Sequence, residues 1–103
     1  SAEELSQWIR QWPAVQRKVD TLITKLKRKQ VRGSRSVALE TAQLLRHTVG
    51  MCRCPSVAHM LAYLRAIGRV LVDAQPAELA AGNVTRRVLL FVREECATHQ
   101  RSK

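Results

Sequence analysis

The sequence predicts an all-α fold, an antiparallel bundle or array of four main helices. Apolar residues recur at three-and-four spacing along most of the chain, and Gly, Pro and Ser gather between those stretches. No run shows the two-residue alternation of β-branched residues that marks a half-buried strand. With 103 residues there is material for one core. A hydrophobic content of 46% beside 25% charged residues is a composition that collapses, whereas disordered chains combine low hydrophobicity with high net charge. The expected organisation is a single helical domain over residues 1–103, or a truncated part of one.

Leu5, Trp8, Ile9, Trp12, Val15, Val19, Leu22, Ile23 and Leu26 fall on one helical stripe. Pro13 interrupts it, because proline lacks an N–H and its ring crowds the carbonyl four residues earlier. The stripe is therefore read as two helices or one kinked helix, with the break near residues 11–13. Residues 25–35 (KLKRKQVRGSR) carry six basic residues and no acid, with Gly33 and Ser34 as a stop followed by a cap. They form the first loop.

Ser34 or Ser36 starts the second main helix, which continues past Glu40, Ala42, Leu45 and Val49 and closes around Gly50 and Pro55. Ser56 restarts the chain. In the third helix, Val57, Met60, Leu61, Leu64, Ile67 and Leu71 share a face, and Ala58, Ala62, Ala66, Val70 and Val72 widen it, which predicts a central position. Gly68 lies on that face, where a missing side chain lets another helix approach. Gln75 and Pro76 end the helix. Gly82 and Asn83 read as a break and an N-cap before the fourth helix, whose Val84, Val88, Phe91 and Val92, flanked by Leu89 and Cys96, are assigned to the core.

Charge is the strongest compositional statement: 18 Lys plus Arg against 8 Asp plus Glu give +10. Such a field favours acidic protein surfaces and polyanions without specifying a fold. No apolar run approaches the roughly 20 residues that span a bilayer, and the first residues do not have the form of a secretory signal. Three cysteines without an even framework suit a reducing compartment. The expectation is a cytoplasmic protein with no membrane partner.

No Gly-rich phosphate loop, HExxH pair or nucleophile elbow is present, and the eight carboxylates fall at helix ends or polar faces. No catalytic residue, cofactor site or metal site is assigned. His47, Cys52, Cys54 and His59 place four ligand types within 13 residues, but Cys-x-Cys lacks the two-residue turn of a zinc knuckle. The better candidate is the basic run. Lys27, Arg28, Lys29, Arg32 and Arg35 exceed what complementing a helix C-terminus requires, and so form the expected partner-binding surface. Aromatic residues, on which single-stranded nucleic-acid binders stack bases, are missing from the run, which makes RNA the secondary reading.

Residues 73–95 (DAQPAELAAGNVTRRVLLFVREE) combine an Ala-Gln-Pro stop, a Gly-Asn pair and an Arg-Arg-Val-Leu helix onset. That order resembles the N-terminal helical domain of the initiation factor 2B alpha/beta/delta family, on its beta branch. Weaker likeness extends through residues 40–46 and 58–73, and the first thirty residues match only in character, which leaves roughly two thirds of the chain covered. The most specific positions are Gly82, Asn83, Arg86, Arg87, Val88 and Leu89, read as architecture, with Arg86 and Arg87 also suited to hold an acidic side chain of a neighbouring domain.

The resemblance implies a regulatory, non-catalytic part of the guanine-nucleotide exchange factor for translation initiation factor 2. Its partners would be other subunits of that factor and the alpha subunit of initiation factor 2. It also implies a C-terminal Rossmann-like domain in the parent protein, which this chain does not include. The Cys-Arg-Cys-Pro turn and the Trp-rich N-terminus depart from the family pattern.

Overall fold

The computed structural model describes residues 12–52, 54 and 56–102, with side chains described as far as Cys96. Four helices follow in order, α1 (Pro13–Lys27), α2 (Ser34–Met51), α3 (Val57–Ala74) and α4 (Ala80–Ser102). Among the described residues α2 and α3 each pack against all three other helices, while α1 and α4 do not touch each other. The all-α bundle is as expected. The central place expected for α3 is shared with α2.

Pro13 stands at the start of α1, where its missing N–H costs nothing, and Trp12 precedes it in a non-helical conformation. A helix boundary therefore falls at the expected position. Leu5, Trp8 and Ile9 lie outside the described residues. Val15, Val19, Leu22 and Leu26 are buried at i, i+4, i+7 and i+11, one side of the helix. Each such side chain contributes about 1.5–3 kcal/mol of transfer free energy. Trp12 rests on Tyr63 of α3, with ring centroids 5.4 Å apart and planes tilted by 33°.

α2 starts at Ser34 and ends at Met51, within the expected bounds, and differs only at its cap. Gly33, with φ of +85°, supplies the N-cap, so Ser34 is already helical, and no side chain caps this end. The buried line of α2 is Val37, Thr41, Leu44, Leu45 and Thr48. Thr48 satisfies its hydroxyl by donating to the Leu44 carbonyl at 2.8 Å. The hydroxyl of Thr41 is buried with no hydrogen-bond partner.

Ser56 caps α3 as read from the sequence, its Oγ accepting from the His59 N–H at 3.2 Å. The inner face is Tyr63, Leu64, Ile67, Gly68 and Leu71. Gly68 is where α4 comes close: a Cβ built there would lie 2.9 Å from Cβ and 2.6 Å from Oγ1 of Thr85. Thr85 is itself buried and donates to the Ala81 carbonyl at 2.7 Å.

Two expectations for α4 are corrected. Gly82 and Asn83 are neither a break nor a cap, because the helix starts at Ala80 and runs through both. Asn83 N–H donates to the Leu79 carbonyl at 3.1 Å, an ordinary helical bond, and Ala80 and Ala81 gain burial by being helical. That gain outweighs the local preference of Gly and Asn for a turn. Phe91 is not core: it is 62% exposed. The inner line is Ala81, Thr85, Val88 and Val92, and Phe91 is one residue, or about 100°, around the helix from Val92.

Candidate partner interface

The basic run forms the end of α1, the loop 28–33 and the first turn of α2. Lys27, Arg28, Lys29, Arg32 and Arg35 are all exposed. The backbone of the run is defined. Lys29 N–H donates to the Leu26 carbonyl at 3.1 Å and Gln30 N–H to the Lys25 carbonyl at 2.9 Å, the paired bonds of a Schellman helix end. Lys29 occupies the left-handed position of that motif with φ of +57°, where glycine is the usual residue. Val31 then turns inward and is buried.

Helix electrostatics account for only part of the run. Lys25, Lys27 and Arg28 complement the negative end of α1, worth about 0.3–1 kcal/mol each at the surface. Arg35 sits at the opposite kind of end, the positive first turn of α2, which contains no acidic residue. The cation there is disfavoured by its own helix. Both Arg35 and the left-handed Lys29 therefore carry a small local cost, in a turn that folding alone would furnish differently.

The loop is held from across the fold. The Gln75 carboxamide, at the end of α3, donates to the Leu26 carbonyl at 2.9 Å and to the Val31 carbonyl at 3.1 Å. Both protons of one NH2 group are used, and the Leu26 carbonyl, which already accepts from Lys29 N–H, gains a second donor. Sequence reasoning assigned Gln75 only to a helix stop. Glu78 follows in the same turn, accepting from the Ala80 N–H at 3.3 Å as α4 begins.

An open groove of about 470 Å³ between α1 and α2 adjoins the run through Lys25. Arg17, Lys18, Glu40, Gln43 and His47 also line it, so the positive surface extends along α1. In the family-signature stretch, Arg86 and Arg87 are exposed while Val88 and Leu89 are partly buried against the core. Asn83 uses its side-chain oxygen to accept from Arg86 Nη2, one turn along α4.

The sulfur residues are less suited to chemistry. Burial pushes the Cys52 thiol up to about 11, assisted by Cys54, and burial also raises Cys54. Metal binding and nucleophilic attack need the thiolate, which these surroundings disfavour. Among the described residues no three His, Cys, Asp or Glu side chains are placed to hold a metal ion. Among the same residues no helix is long and apolar enough to cross a membrane.

No family model matches the chain. It is 42% identical over 77 residues to translation initiation factor eIF2B subunit beta of Schizosaccharomyces pombe, a match covering 75% of this chain and 20% of that protein. Against the same subunit of Dictyostelium discoideum it is 39% identical over 84 residues, covering 82% and 22%. A chain in the crystal structure of the tetrameric eIF2B-beta2-delta2 complex from C. thermophilum superposes with a TM-score of 0.75 at 34% identity, over 82% of this chain and 28% of that one. The chain thus spans about a fifth of the length of the curated relatives it matches. Over three quarters or more of its own length, the chain is therefore similar to a part of eIF2B subunit beta.

Proposed function

We propose that this chain is the N-terminal helical module of a regulatory subunit of the exchange factor for initiation factor 2. In this reading it catalyses nothing itself. It contributes to assembly with other subunits and helps to bind the alpha subunit of factor 2, with a C-terminal Rossmann-like domain following in the parent protein. The observation that carries the reading is the fixed turn of Lys27, Arg28, Lys29, Arg32 and Arg35 on a domain similar to eIF2B subunit beta. A positive surface of defined shape suits an acidic protein face. Assembly beside a delta subunit is supported by the similar chain's membership of a beta2-delta2 tetramer.

The test is affinity capture with the full-length protein from cytosol, with and without nuclease. Recovery of other eIF2B subunits and of factor 2, unchanged by nuclease, is the expected result. Recovery of ribosomal proteins alone, lost on nuclease treatment, would replace this reading with RNA binding driven by the +10 charge.

A further inference from the structure

We propose that Gln75 is the positioning residue of the basic surface, and that an acidic protein partner reads the shape it imposes on the loop as well as the charge. This rests on the reading of the loop as a partner surface. The loop's two anchor points, the Leu26 and Val31 carbonyls, lie 49 and 44 residues before Gln75 in sequence and converge on its single NH2 group. Between those anchors sit Arg28 and Lys29, both exposed.

The loop's internal bonds fix its curl, since Lys29, Gln30 and Val31 all donate back to Lys25 or Leu26. They do not fix its place against the rest of the fold. Val31 and Gln75 do that, one by burial and the other by hydrogen bonding. Gln75 bonds from the end of α3 to both the last turn of α1 and the loop, and so ties helix end and loop to α3 at once. A flexible cationic loop would pay an ordering cost on binding that a held loop avoids.

The experiment uses the full-length protein assembled with its partner subunits. Gln75→Leu removes both donors at similar volume without changing net charge, and Lys27→Glu/Arg28→Glu/Arg32→Glu reverses the charge with Gln75 intact. Affinity for the alpha subunit of factor 2 is measured for each at fixed salt, beside thermal midpoint and amide exchange. Gln75→Leu is expected to weaken binding roughly tenfold, to accelerate exchange at Lys29, Gln30 and Val31, and to leave exchange in α2 and α4 unchanged. A merely structural role would instead raise exchange throughout the core.

If charge reversal weakens binding and Gln75→Leu does not, the positioning role is overturned while the partner reading stands. If charge reversal has no effect, the partner reading itself fails. Should Gln75→Leu not fold, the unmodified protein still decides: side-chain NH2 protons of Gln75 exchanging at free-amide rates would overturn the proposal, and their protection would support it.

Discussion

The contact of α3 with α4 and the turn between α1 and α2 are held by opposite means. At the first, Gly68 lets Thr85 approach so closely that no side chain fits between the two helices. At the second, one carboxamide reaches two carbonyls of a loop whose charged side chains all face solvent. Close packing penalises any change of volume, whereas a hydrogen-bonded loop exchanges protein bonds for water bonds at about 1 kcal/mol each. Fold and candidate function thus depend on different interactions, and substitutions should separate them.

The largest effect is expected where packing is complete. Ile67 is fully buried on α3, and Ile67→Ala should cost about 2–5 kcal/mol in denaturant unfolding. A cost below about 1 kcal/mol would remove the claim that this face organises the fold. Next comes Gly68→Ala, for which alanine's better helix propensity offers about 1 kcal/mol against an overlap with Thr85. Because the Thr85 Cβ is among the atoms met, a change of rotamer cannot clear it, and the two helices must part. A net loss of about 1–3 kcal/mol is predicted, with Thr85→Ala in the same chain recovering only part.

The turn should respond with the opposite sign. Lys29→Gly relieves a left-handed non-glycine residue and should stabilise the protein by roughly 0.5–1 kcal/mol, while removing one of the five cations. Stabilisation joined to weaker partner binding would sharpen the contrast between the two regions, and stabilisation without loss of binding would exclude Lys29 from the surface. The smallest change is Phe91→Ser, within about 0.5 kcal/mol, because the ring is exposed in this domain.

The helices, the cap at Ser56 and the close approach at Gly68 were legible because each depends on local spacing or on one residue's chemistry. Two features of α4 were not. Gly82 and Asn83 carry a strong local turn signal, but the burial of Ala80 and Ala81 is tertiary and prevails. Phe91 was placed inside because hydrophobicity alone ranked it above Thr85, which is the residue that fits beside a glycine. Thr41 and Thr48 escaped for the same reason: their i, i+4, i+7 spacing with Val37 and Leu44 was available, but a hydroxyl reads as surface, although Thr48 finds an internal acceptor in the Leu44 carbonyl and Thr41 is buried without one.

The candidate site divides in the same way. Lys27, Arg28, Lys29, Arg32 and Arg35 were readable as a run of charge. Their common exposure and fixed backbone were not, since these depend on Val31 turning inward and on Gln75, whose partners no local pattern links to it. Arg35 was readable as a cation but not as one seated at the unfavourable end of a helix, which required the boundary of α2.

The most direct test of a partner role for the basic turn is the affinity of the assembled exchange factor for the alpha subunit of initiation factor 2 with Lys27→Glu, Arg28→Glu and Arg32→Glu combined. Binding is predicted to weaken by about tenfold or more, with a smaller salt dependence, while subunit assembly and thermal midpoint stay close to those of the unaltered protein. Unaltered affinity in a normally assembled complex would contradict that role and return the basic turn to the status of a solvated helix end.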